Sequence, residues 1–192
     1  MLITGWGNNI NYEANAFYPK NDGEIIGILK NEISNNTLAV GLGRSYGDNG
    51  LSKNIIKLNN YEKFFELDEE NQILHCSSNY SLKEIIFKIV KKGFFLNVTP
   101  GSKYVTIGGA IANDVHGKNH HVDGSFSDFV KEIKIITPDA ELRECSKNQN
   151  TDLFLATCGG AGLTGVIVSA KIKLLKISSK NLDVSIFKTK DL

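Results

Sequence analysis

Apolar positions along the chain change their spacing several times, and each change predicts an element. From Asp22 to Ile33, residues Ile25, Ile26, Leu29 and Ile33 recur at helical spacing, with Asp22 and Glu24 at the end where a helix dipole favours negative charge. Thr37 to Leu42 and Ile55 to Leu58 read as short strands. FFELD and QILHCS read as two more, joined by a polar turn at Glu69 to Asn71. The next pattern is helical again: Ser81 as N-cap, Leu82, Ile85, Ile86, Ile89 and Val90 on one face, and Gly93 as the stop. Beyond it come a strand, a Pro-Gly loop and a short glycine-bearing helix, then strands DFVKEIKIIT and AELREC around a Pro138-Asp139 turn. NLDVSIFKTKDL reads as the beginning of a further strand.

One run tests the pattern. From Leu153 to Ala170 there is no charge, which approaches the length of a membrane span. Three glycines at its centre, Gly159, Gly160 and Gly162, would each weaken a spanning helix, and Gly165 to Ile172 reads as a β-branched strand. A buried helix, a tight turn and a strand are expected instead. The whole chain then reads as α+β in two lobes, residues 1–99 mixing helices and strands and residues 100–180 richer in strands. Residues 181–192 are expected to begin a C-terminal substrate domain, so the chain reads as part of a longer enzyme.

Composition narrows the class. Apolar residues are 41% and charged residues 22%, with a formal net charge of +1, so neither disorder nor a nucleic-acid stripe is indicated. Cys76, Cys145 and Cys158 match no disulfide framework or zinc spacing and are expected to be reduced, and no signal peptide is visible, which points to the cytoplasm.

Glycine is concentrated in three places. In AVGLGRSYGDNG, Gly41, Gly43 and Gly47 approximate a dinucleotide fingerprint. They run into a turn and a strand, however, and the fingerprint must open a helix. What remains is a loop whose backbone N–H groups, with Arg44 and Ser45, can wrap an anion, or else a tight turn with a surface arginine. In PGSKYVTIGGAIAND, Thr106 can cap a helix in which Gly108 and Gly109 allow close approach. In CGGAGLTGVIV, glycines turn a helix into a strand. Together the three suggest one extended ligand with phosphates at its middle.

The stretches GLGRSYGDN, PGSKYVTIGGAIANDVHGKNHH and FLATCGGAGLTGVI, with GWG and DGSFSDFV, resemble the FAD-binding half of the vanillyl-alcohol-oxidase flavoprotein superfamily. The resemblance implies a PCMH-type domain with FAD extended between the two lobes. It implies that Gly41, Gly43, Arg44, Ser45, Tyr46, Gly47 and Asn49, with Gly101, Thr106, Ile107, Gly108 and Gly109, wrap the pyrophosphate and ribitol. Asn113, Asp114, Val115, His116 and Gly117 would run along the flavin, with Gly162 and Ile167 toward the adenine end. Many members attach FAD through a histidine in the first loop; here that position is Tyr46, and the position of a second, cysteinyl link is Asn113. Non-covalent FAD is therefore expected.

Three of the four histidines lie between His116 and His121. Zinc needs three or four convergent ligands, and Gly117 and Asn119 break any shared helical face, so no metal is expected. His120 and His121 read as loop residues that hydrogen-bond locally. The resemblance puts His116 at the flavin on the substrate side, which makes it the candidate catalytic residue, able to orient a hydroxyl or stabilise developing charge. Trp6 and Tyr12 read as core, and Lys118 and Asn119 as residues that could close the pocket.

The resemblance implies an FAD-dependent oxidation of a secondary alcohol on a sugar, a polyprenyl-phosphate ribose, whose keto product passes to a short-chain reductase partner in cell-envelope polysaccharide biosynthesis. Its lipid-linked substrate would bring the protein to the inner membrane face. With the base and sugar pocket on the substrate domain, this chain is expected to bind FAD without efficient turnover. The alternatives are an alditol- or aldonolactone-oxidase-like enzyme and a non-catalytic module for a nucleotide or metal.

Overall fold

The computed structural model describes residues 1–33 and 36–191, and only the backbone of residues 32 and 33, so the side chain of Ile33 lies outside the described residues. The elements in order are β1 (Leu2–Thr4), β2 (Asn11–Glu13), β3 (Asn15–Phe17), α1 (Asp22–Ile28), β4 (Thr37–Ala39), β5 (Asn54–Ile56), β6 (Phe65–Asp68), β7 (Ile73–Ser77), α2 (Leu82–Ile89), β8 (Phe94–Leu96), α3 (Ile107–Ala112), α4 (His120–Asp123), β9 (Val130–Ile136), β10 (Leu142–Ser146), α5 (Thr151–Thr157) and β11 (Val166–Lys176). The fold is α+β. The helix expected to reach Ile33 is α-helical only to Ile28 and continues as a π-helical turn over Leu29–Ile33.

Three sheets form. β1 and β2 make an antiparallel hairpin; β3, β5 and β4 make a small parallel sheet in that order. The third sheet is antiparallel, in the order β10-β9-β11-β7-β6, with β8 continuing beside β11 past the end of β7. It draws β6, β7 and β8 from before residue 99 and β9, β10 and β11 from after it.

Central β11 explains the uncharged run. Val166 and Val168 enter one buried cluster with Ile25, Leu29, Ile56 and Ile136, while Ile167 enters another with Leu82, Ile85, Ile107, Ile111 and Phe154. A strand covered on both faces reads as continuously apolar. Among the described residues no helix is long and apolar enough to cross a membrane. The strand expected within residues 181–192 does not form: over residues 181–191 the chain is exposed, without strand pairing, and Leu182, Val184 and Ile186 face solvent.

Local chemistry sets α2 as its sequence suggests. Ser81 accepts from the Glu84 N–H while the Glu84 carboxylate accepts from the Ser81 N–H, a reciprocal cap, and Gly93 ends the following turn in the left-handed region at φ 80°. Partial burial alone would raise the Glu84 carboxyl, but the Lys63 ammonium and the Ser81 hydroxyl and amide hold it down at about 2. Its folded value lies below its unfolded one. The stabilisation is therefore complete above the usual glutamate range and is lost as pH falls toward about 2. Ser81→Ala should cost about 1 kcal/mol at neutral pH. Glu84→Gln should flatten the acid limb of the stability curve, read from urea midpoints across that window.

Candidate functional site

Three glycine-bearing segments, far apart in sequence, meet around α3. Thr106 caps the helix, its Oγ1 accepting from Gly109 N at 3.1 Å. A Cβ added at Gly41 would lie 2.5 Å from that same oxygen, so the first loop rests directly on the cap. At the other end, Asn49 Nδ2 donates to Asn113 Oδ1 at 3.4 Å, and Asn113 Nδ2 donates to Gly109 O at 2.9 Å. The third segment hangs from the same helix: Gly159 N donates to Ile111 O and Ala161 N to Ala112 O, while Gly162 lies against Leu38 and Ala39.

Backbone donors are divided unevenly among these segments. At the start of α3, Ile107 N donates to Tyr80 O, Gly108 N to Ser78 O and Gly109 N to the Thr106 hydroxyl. These amides are engaged inside the protein. Gly108 is small because a Cβ would press on Ser78, 3.2 Å away. The first loop is the opposite case: from Gly41 to Asn49 no backbone N–H donates to an acceptor among the described residues, and all but Ser45 are exposed. A Cβ at Gly43, whose φ is +64°, would meet nothing within 4 Å. Arg44 forms no ion pair among the described residues. Exposed amides beside an unpaired guanidinium are the donor set a diphosphate requires.

From Asn113 to Gly117 the backbone forms a braced strip. Asp114 sits at φ 39°, a left-handed conformation, and its carboxylate accepts from Ser125 Oγ at 2.8 Å and Ser127 N at 2.9 Å. That carboxylate holds the strip in place rather than facing outward. Val115 packs against the core, and His116, bridged through its backbone to Ser125, is exposed. Gly117 is required by crowding, since a Cβ would lie 2.7 Å from Thr99 O. His120 Nδ1 lies 3.0 Å from Gly117 O, and a carbonyl only accepts, so Nδ1 carries the proton. The His116 and His120 rings meet edge to face at 5.1 Å, and those of His120 and His121 at 5.8 Å. Among the described residues no three His, Cys, Asp or Glu side chains converge to hold a metal ion. Lys118 is exposed, and Asn119 is occupied, donating to Asn97 O and Asp123 Oδ2.

Other expected positions fall elsewhere. Ile107 and Ile167 are buried in the core cluster, and Ile167 O accepts from Ser78 Oγ. Gly101 lines a shallow cavity of about 320 Å³ with Leu82, Ile86 and Tyr104, a set that includes no first-loop residue. Tyr46 is 90% exposed at the tip of the loop. Trp6 and Tyr12 are not core: they are 53% and 39% exposed. The Trp6 ring instead lies under the Arg44 guanidinium, 4.8 Å from centroid to Cζ. No local pattern in the sequence signals this contact, because Arg44 follows Trp6 by 38 positions. Cys76, Cys145 and Cys158 are free, and burial pushes all three thiols up, Cys76 to about 12.

Comparison with known proteins places the chain in a family. The FAD binding domain family matches residues 14–146, more than half of the chain, and the protein belongs to it. It is 33% identical over 178 residues to decaprenylphosphoryl-beta-D-ribose oxidase of Mycolicibacterium smegmatis, covering 90% of this chain and 39% of that protein. It is 36% identical over 92 residues to cytokinin dehydrogenase 3 of Arabidopsis thaliana, 45% of this chain and 17% of that one. Against Delta(24)-sterol reductase of Rattus norvegicus it is 27% identical over 116 residues, 60% of this chain and 22% of the other. The chain thus spans at most about two fifths of the length of these relatives.

Proposed function

We propose that this chain is the FAD-binding part of an oxidoreductase that converts a secondary alcohol of a sugar to a ketone, with a polyprenyl-phosphate ribose as substrate. The observation that carries the reading is the first loop, where among the described residues the exposed amides find no acceptor and Arg44 no ion pair, while the loop itself rests on the cap of α3. The substrate rests on the similarity to the ribose oxidase.

In this reading the first-loop amides and Arg44 hold the diphosphate. FAD would extend between two lobes, residues 1–99 and residues 100–180. Asn113 to His116 runs beside the flavin. When bound, FAD supplies the hydride acceptor. His116, exposed and anchored through its backbone, orients the reacting hydroxyl and stabilises charge that grows on its oxygen. The base that takes the hydroxyl proton, and the sugar pocket, belong to a substrate domain entered at residues 181–192. A cytoplasmic enzyme working at the inner membrane face, handing its keto product to a short-chain reductase, completes the proposal.

FAD is held without a covalent bond, because Tyr46 and Asn113 occupy the positions of the histidyl and cysteinyl links. The purified protein should be yellow, and acid precipitation should release the flavin into the supernatant. Flavin that stays with the precipitate would refute the non-covalent reading, and a colourless protein that takes up no added FAD would refute the function. His116→Ala should leave FAD content unchanged. In the enzyme carrying the substrate domain, it should slow bleaching of the flavin by polyprenyl-phosphate ribose roughly hundredfold.

A further inference from the structure

The N-terminal hairpin lies almost wholly before residue 14, where the family match begins, yet its turn is fastened to the first glycine loop. Trp6 N donates to Ser45 O at 3.4 Å. A Cβ at Gly5 would lie 2.9 Å from Asp48 Oδ1 and 3.0 Å from Gly47 O, so the two backbones are in contact. The hairpin is itself held at its base, where the Met1 ammonium donates to Ala14 O at 2.5 Å. Between these contacts the Trp6 ring covers the Arg44 guanidinium at 4.8 Å.

A guanidinium carries its donors in its plane and its apolar faces above and below. An aromatic ring over one face leaves the N–H edge available and restricts the side chain to orientations parallel to the ring. Arg44 has its Cζ over the Trp6 ring, no carboxylate partner among the described residues, and solvent-facing amides beside it. Half of the indole is exposed although a tryptophan in a loop gains from burial, so hydrophobic packing alone does not account for its place.

We propose that the Gly5-Trp6-Gly7 turn is a wall of the diphosphate site and that Trp6 is the positioning residue for Arg44, aiming its N–H edge at the cofactor's diphosphate. This rests on the first loop being the diphosphate cradle. The ligand class it recognises is an organic diphosphate, and FAD and ADP carry the same group.

Trp6 is the only tryptophan in the chain, so its fluorescence reports on this contact alone. The test is equilibrium dialysis of FAD and of ADP against the full chain and its Trp6→Phe, Trp6→Leu and Arg44→Lys variants, with FAD quenching of the indole followed in the parent. Trp6→Leu, which removes the ring, should weaken both ligands on the order of tenfold, and Trp6→Phe, which keeps a ring, by no more than about threefold. Trp6→Leu combined with Arg44→Lys should be no weaker than the worse single variant, because each breaks the same stack. FAD and ADP bound by Trp6→Leu as tightly as by the parent would overturn the proposal, as would a double variant whose loss is the product of the single losses. A parent protein that binds neither FAD nor ADP would refute the diphosphate cradle itself and the proposal with it.

Discussion

Gly165→Ala should lower stability by about 3 kcal/mol or more and the melting temperature by roughly 10 °C. Gly165 has φ +143°, where an L side chain is strained. A Cβ there would sit 2.3 Å from Ile136 O and 3.0 Å from Ile136 C and Thr137 Cα. Every one of those neighbours is backbone at the end of β9, the strand that pairs with β11, so nothing can swing aside. Relief requires separating the start of β11 from β9 and pulling Val166 out of its cluster. Gly27→Ala is the contrasting control. A Cβ at Gly27 meets nothing within 4 Å, and the position is helical, so that variant should be as stable as the parent or gain up to about 1 kcal/mol. Thermal melts of the two variants separate the mechanism from a general intolerance of glycine replacement. Equal losses in both would show that crowding at Ile136 is not the cause.

What the sequence disclosed and what it hid divide along physical lines. Ser81 and Thr106 were legible as caps because a cap is satisfied within three residues of chain. The run from Leu153 to Ala170 was legible as helix, turn and strand because glycine speaks against a helix wherever it stands. Strand partners were not legible. β7 pairs with β11 across some ninety residues, and the three-residue strands of the parallel sheet carry too little pattern to announce a neighbour. At the site, glycine content marked the segments but not which amides are free, since Ile107 and Gly108 donate to Tyr80 and Ser78 on a different element. A resemblance transfers positions, not side-chain directions, and the side chains of Ile107 and Ile167 lie in the core. Trp6 failed for a related reason. A lone aromatic reads as core, and the arginine that holds it at the surface comes 38 positions later.

Gly41→Ala should weaken FAD binding at least tenfold, and the cause can be read from a second substitution. The added methyl would lie 2.5 Å from Thr106 Oγ1, and Thr106 cannot yield without leaving the Gly109 N–H it caps. Either the cap breaks, costing about 1 kcal/mol, or the loop lifts off α3 and carries its amides away from the strip at Asn113. Thr106→Ala removes the offending oxygen together with Cγ2; the side-chain atom that remains, Cβ, is 3.6 Å from the added methyl, an ordinary contact. Thr106→Ala alone should therefore destabilise the helix start and weaken FAD modestly. Gly41→Ala added to it should then cost far less than it does in the parent. The coupling between the two positions, measured by FAD titration of both single variants and the double, should favour the double by more than 1 kcal/mol. Additive losses would mean that the loop does not rest on the cap when FAD is bound, and the cradle would have to be built from the loop without the helix.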